Sequence, residues 1–332
     1  MMRFWAMVAA AMLAFVGLAG AARAGDVGFQ EVQVANGTDT PLRVGIWYPT
    51  RSPVAPTPLE TFTQTVAPGG EAVGHGLPLI VMSHGNGGWY GEHVDTSLAL
   101  AQAGFVVAAV SHTGDTYNDQ SRAIRISARP AQIKRLIDYM TGEWAEHGRI
   151  NPRRIGMFGF SSGGFTTLVA IGGVPDLSMI PAHCRAHPHY FDCNLIRSAP
   201  AGAQVDLSKP VGDVWVHDAR IRAAVVAAPA LGFTFSHGGL AGVSIPVQLW
   251  RDANDHILPH PDYAESVRLN LPAPPEYHVV PGADHFDFLA PCSDILAKVA
   301  PTICVSAPGF DRAAFHRDFD RQVVAFFERT LG

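Results

Sequence analysis

The 332-residue sequence is short of charge: 16% of its residues are Asp, Glu, Lys or Arg, with 24 basic against 29 acidic side chains. Without a basic surplus it offers no electrostatic footprint for nucleic acid or an anionic membrane surface. Past the first twenty residues no apolar run approaches membrane length, and no internal repeat divides the chain. No Gly-x-Gly-x-x-Gly is present, and the Gly-rich stretch at 85–88 is not followed by Lys-Ser/Thr, so the common dinucleotide and phosphate signatures are missing. Cysteine is scarce, at four residues, and no Cys-x-x-Cys half-site occurs. Metal binding by Cys184 or Cys193 with His183, His187 and His189 is therefore the weaker reading of that cluster.

At the start, Met1-Met2-Arg3 precedes an apolar run from Phe4 to Gly20 and the small-residue site Ala22-Arg23-Ala24. Basic start, apolar middle and Ala-x-Ala end predict a secretory signal peptide over residues 1–24, cut after Ala24. A membrane anchor is the alternative, but the run is short for a span. Without Arg3 and Arg23 the remaining chain carries 22 basic and 29 acidic residues, a net charge of −7. The expected product is exported, periplasmic or secreted, with no stable membrane insertion. In that compartment four cysteines predict two disulfides, and the local pairing Cys184–Cys193 and Cys292–Cys304 is favoured among three connectivities. Each closes a loop of roughly ten residues, a constraint of about 2–3 kcal/mol.

Hydrophobic residues make up 48% of the sequence, enough for one large domain over 25–332. Val27 to Val34 and Leu42 to Tyr48 alternate around Asn36-Gly37-Thr38-Asp39, predicting an antiparallel edge hairpin. Arg51 to Gly76, rich in Pro, Thr and Gly, reads as a surface excursion. Continuous apolar runs at Leu77 to Met82, Phe105 to Val110, Ile155 to Phe158, Ile221 to Ala228 and Val243 to Trp250 predict strands buried on both faces. They alternate with helical stretches at Gly91 to Ala103, Ala131 to Met140 and Pro261 to Leu269, and Glu276 to Val280 is a last strand. Asp311 to Thr330 is an amphipathic helix with Phe315, Phe319, Val323, Phe326 and Phe327 on one face. The fold class is α/β, a doubly wound, mostly parallel sheet. Residues 173–220 break the pattern and are too long for an ordinary connection; a cap pinned by Cys184–Cys193 is favoured over a disordered loop.

One stretch carries chemistry: Gly159-Phe160-Ser161-Ser162-Gly163, between a buried strand and a helix. Gly-x-Ser-x-Gly at a strand-to-helix turn lifts a hydroxyl clear of the sheet, but the pattern alone is weak. A serine nucleophile also needs a base oriented by a carboxylate, and two N–H donors for an oxyanion. His285, in Ala283-Asp284-His285-Phe286 just past the last strand, is the candidate base. Asp255 is favoured over Asp252 as the orienting acid, both following the strand that ends at Trp250. The main-chain N–H groups of Ser162 and of Asn86, in His84-Gly85-Asn86-Gly87-Gly88, are the candidate donors. Trp89, Tyr90 and Phe160 are candidate substrate contacts by proximity.

Taken together, His84 to Gly88, Gly159 to Gly164, Asp255-His256-Ile257-Leu258-Pro259 and Gly282 to Leu289 resemble the α/β-hydrolase superfamily. Within it the chain looks most like exported predicted dienelactone hydrolases, relatives of platelet-activating-factor acetylhydrolases and polyester hydrolases. Val44-Gly45-Ile46-Trp47-Tyr48-Pro49, Pro291-Cys292 to Cys304 and Pro308-Gly309-Phe310-Asp311 also resemble that group. The resemblance implies a serine-type carboxylic-ester hydrolase acting on a small-molecule ester, with no metal or organic cofactor. Dienelactone hydrolases are known for a cysteine nucleophile where this chain has Ser161, which separates the dienelactone substrate from the ester chemistry. Lipid acetylhydrolysis, thioester or polyester cleavage, and a non-catalytic binding protein of the same fold are the alternatives.

Overall fold

A computed structural model describes residues 25–199 and 215–332. The leader expected over 1–24 and residues 200–214 of the expected cap lie outside them. Ten strands are described: β1 (Asp26–Asn36), β2 (Asp39–Thr50), β3 (Ala55–Leu59), β4 (Phe62–Pro68), β5 (Leu77–Ser83), β6 (Val106–Ser111), β7 (Ile150–Phe160), β8 (Ile221–Ala227), β9 (Val247–Asp252) and β10 (Glu276–Val280). They form one sheet in the order β10-β9-β8-β7-β5-β6-β2-β1-β4-β3. From β6 to β10 neighbouring strands run parallel, and β2 pairs antiparallel with both β1 and β6.

The continuous apolar runs become the central strands, because a parallel strand covered on both faces has no polar side to present. Every residue of β6 is buried, as is β5 after its first residue. Helices α1 (Val94–Gln102), α2 (Arg129–Gly142), α3 (Ser162–Ala170), α6 (Ala264–Asn270) and α8 (Arg312–Leu331) cover the sheet. On one face α2 buries Ile133, Leu136, Ile137 and Met140, a run at helical spacing, beside Phe165 and Leu168 of α3. On the other, α1 packs with Phe319, Val323, Phe326 and Phe327 of α8, as their spacing predicts. Asp311 caps α8, its carboxylate accepting the Ala314 N–H at 2.9 Å.

The expected surface excursion after Arg51 is in part a hairpin. β3 and β4 pair antiparallel, and β4 joins β1 through Gly28 and Phe29. Pro56, Pro58 and Pro68 argue against a strand by propensity, but an edge strand tolerates residues without an N–H. The β1–β2 hairpin, expected at the edge, consequently lies inside it, with β4 and β3 beyond β1. Within 173–220, α4 (Ile180–Ala186) and α5 (Phe191–Ser198) are described, joined by Cys184–Cys193 with Cα atoms 5.4 Å apart. Cys292–Cys304, at 5.8 Å, closes a loop carrying the short helix α7 (Asp294–Val299).

Candidate active site

The central strand β5 pairs with β6 on one side and β7 on the other. The connection from β5 to β6 holds α1 on one face of the sheet, and that from β6 to β7 holds α2 on the opposite face. The strand order therefore reverses between β5 and β7, which opens a crevice at their carboxyl ends. Ser83, the last residue of β5, is level with Gly159 of β7. The loop 84–88 and Ser161 leave the sheet side by side.

Ser161 is held at φ 54° and ψ −117°, a conformation that side chains rarely adopt. Its carbonyl accepts the N–H groups of Phe165 and Ala230, and its own N–H reaches Ala227 O at 2.9 Å. The flanking glycines are a matter of space. A Cβ on Gly159 would stand 2.1 Å from the Gly163 carbonyl oxygen, and one on Gly163 would stand 1.9 Å from that of Ser83. Both contacts are with backbone, so no rotamer change relieves them.

His285 lies 3.0 Å through Nε2 from Ser161 Oγ, and its Nδ1 lies 2.8 Å from Asp255 Oδ2. The other Asp255 oxygen accepts N–H groups from Ile257 at 2.9 Å and Leu258 at 2.6 Å. Burial pushes the Asp255 carboxyl up. The charge and hydrogen bond of His285, with the two backbone donors, outweigh it and hold the group below its ordinary value. An ionised Asp255 can only accept, so His285 Nδ1 carries the proton and Nε2 is free to accept from the serine hydroxyl.

The competing acid, Asp252, ends β9 with 1% exposure. Its carboxylate comes within 4.8 Å of the nearest Asp255 oxygen and His285 nitrogen. Neither of its oxygens has a hydrogen-bond partner among the described residues. Burial, then the charges of Asp255, Asp287 and Asp284, raise its carboxyl well above the ordinary range. The Asp252 carboxyl is thus biased toward its neutral form and that of Asp255 toward its charged one, and the structure brings Asp255, not Asp252, into hydrogen-bond reach of His285.

The turn carrying His285 is a single 3-10 turn, His285–Phe288, with reciprocal caps: Asp284 accepts the His285 N–H, and Asp287 accepts the Asp284 N–H at 2.9 Å. Asp287 is also paired with buried Arg312 at 3.0 Å, which ties the turn to the start of α8. The Asp-x-x-Asp spacing is a capping signature legible in sequence; its partner Arg312 is not.

Neither the Asn86 nor the Ser162 N–H makes a hydrogen bond among the described residues. The Asn86 side chain turns instead to Asp115 Oδ1, which also accepts the Gly87 N–H at 2.8 Å. Asp115 Oδ2 is paired with Arg129 at 2.5 Å, and Arg129 donates to the carbonyls of His84 and Gly85 at 2.6 and 3.0 Å. Glu92, half-buried, accepts the Gly85 N–H at 3.0 Å. Three ionisable residues from outside the loop thus fix its backbone, and sequence reasoning missed all three. Replacing Arg129 by methionine should lower stability by about 3–5 kcal/mol, since it strands the buried Asp115 charge and two carbonyls. Urea denaturation measures this; a loss under 1 kcal/mol would show that the network is not structural.

A cavity of about 840 Å³ opens over Ser161 and His285. Trp89 and Phe160 line it, as expected. Tyr90 does not: it is buried beside Trp47, and its hydroxyl donates to Glu31 on β1. The Trp89 and Tyr90 rings meet edge to face with centroids 4.9 Å apart, and of the two only Trp89 reaches the cavity. Phe191 of α5 borders both this cavity and a smaller one lined by Ser161 and Ser162.

No protein-family model matches the chain, and no curated protein matches it in sequence. Among solved structures it is similar to the ferulic acid esterase from Streptomyces cinnamoneus, with a TM-score of 0.62 and 19% identity. The match covers 94% of this chain and 92% of that one. At that identity the likeness carries the fold, the α/β arrangement expected from the sequence. No helix among the described residues is long and apolar enough to cross a membrane.

Proposed function

We propose that the protein is a serine hydrolase that cleaves carboxylic esters through an acyl-enzyme. One observation carries this reading: a hydroxyl, an imidazole and a carboxylate in hydrogen-bond series, 3.0 and 2.8 Å apart, at the mouth of a cavity. Ser161 attacks the ester carbonyl as His285 takes its proton, and Asp255 stabilises the imidazolium. The N–H groups of Asn86 and Ser162 receive the oxyanion. His285 then protonates the leaving alcohol, and water, activated by the same base, releases the acid. No step draws on a metal or organic cofactor.

The esterase named among the structural neighbours supports ester cleavage as the reaction class. Two disulfides suit an oxidising compartment, in keeping with an exported chain whose leader spans 1–24 and whose 173–220 segment acts as a cap. The test is covalent. A fluorophosphonate probe should add its phosphonyl mass to the peptide containing Ser161, and prior labelling should abolish release of p-nitrophenol from p-nitrophenyl butyrate. An unlabelled, inert protein would return the chain to the class of binding proteins.

A further inference from the structure

The cavity over Ser161 is large and aromatic. Phe62, Trp89, Tyr117, Phe160, Phe191 and Phe286 contribute rings to its lining. Leu296, Val299, Ala300 and Ile303 form one lip, all from the loop closed by Cys292–Cys304. A loop of that length closed by a disulfide has few alternative conformations, so its apolar side chains cannot easily collapse away from water. Val299 on this lip is 68% exposed and Ile295 beside it 57%. Such an edge makes physical sense when a ligand covers it.

Among the described residues that line the cavity there is no lysine or arginine. Besides His285 and the Tyr117 phenol, its ionisable groups are the carboxylates of Glu60 and Glu92. Glu60 is engaged by Arg43 at 2.9 Å and by the Tyr117 hydroxyl at 2.9 Å. For Glu92, burial pushes the carboxyl up, but the hydrogen bond and charge of His93, with His84 and the Gly85 N–H, bring it below its ordinary value, so it stays an anion. Residues 200–214 hold one lysine against two aspartates in sequence and supply no cationic surplus. A substrate carboxylate entering this cavity would lose water, gain no counter-ion and face Glu92.

We propose that the substrate is a neutral ester with a bulky apolar or aromatic group, and that esters bearing a free carboxylate are rejected. This rests on the ester-hydrolase reading above and specifies its substrate class. The apolar group occupies the ring-lined cavity and reaches the stapled lip, while the carbonyl sits between Ser161 and the two N–H donors.

The test compares p-nitrophenyl hexanoate with mono-p-nitrophenyl adipate at pH 7.5, two esters of equal chain length that differ in one terminal carboxylate. The expected kcat/KM is at least about 100-fold higher for the hexanoate, against about tenfold or more between hexanoate and p-nitrophenyl acetate. Val299→Lys, at an exposed position that the fold tolerates, should raise the adipate-to-hexanoate ratio by about tenfold. Similar rates on hexanoate and adipate, or a ratio unmoved by V299K in an enzyme still active on hexanoate, would overturn the proposal while leaving ester hydrolysis standing. A protein inert on all three esters and unlabelled at Ser161 would instead overturn the reading beneath it.

Discussion

Ser161→Ala should lower kcat on p-nitrophenyl esters by about 10⁴-fold or more and leave the fold intact. Among the described residues the side chain has one hydrogen-bond partner, His285 at 3.0 Å, while the bonds that define the turn use the Ser161 backbone. Alanine keeps the backbone and removes the attacking atom. The strained φ of 54° adds a second, opposite expectation. Ser161→Gly should be equally inactive yet more stable than wild type by about 1 kcal/mol, because glycine accepts that conformation without the side-chain clash. Activity and melting temperature then move in opposite directions at one position, the signature of strain retained to present a hydroxyl. Activity within tenfold of wild type in S161A would remove the serine from the mechanism.

Much of this was legible from residues alone, for identifiable reasons. The central strands announce themselves because burial on both faces forces continuous apolar runs, and the faces of α2 and α8 because a covered helix shows its period. Ser161, His285 and Asp255 were legible because each follows a strand end, and a parallel sheet puts strand ends at one edge. β3 and β4 were hidden by prolines that an edge pairing tolerates. The support of the 84–88 loop was hidden more deeply. Asp115 and Arg129 lie 14 residues apart, with nothing but ordinary polarity to distinguish them, and meet only because β6 and α2 bring them under the same turn. The tie between Asp287 and Arg312 is of the same kind. Long-range pairs of buried charge leave no local period, and they are what preorganises this site.

The two carboxylates after β9 give the sharpest contrast. Asp255→Asn should reduce kcat by about 10⁴-fold, because an amide cannot enforce the Nδ1–H tautomer of His285. Asp252→Asn should leave kcat near wild type at pH 7, since the native oxygens touch no catalytic atom within hydrogen-bond range. Their effects on stability run in opposite senses with pH. Asp252 has its folded pKa raised well above the ordinary aspartate value of 3.8, so above that pH the unfolded chain releases a proton that the folded protein holds. Stability is lost as pH climbs from there toward the folded pKa, and asparagine, which never ionises, removes that loss. D252N should therefore be more stable than wild type at pH 7 and gain less at pH 4. Asp255 has its folded pKa lowered, so its stabilisation is present above 3.8 and disappears as pH falls through the folded value; D255N should lose stability at pH 7 and approach wild type in acid. Urea titrations at pH 4 and 7 for D252N, and at pH 7 and well below pH 3.8 for D255N, with kcat measurements, resolve both variants. A collapse of kcat in D252N with D255N active would exchange their roles and place the working acid at the strand end.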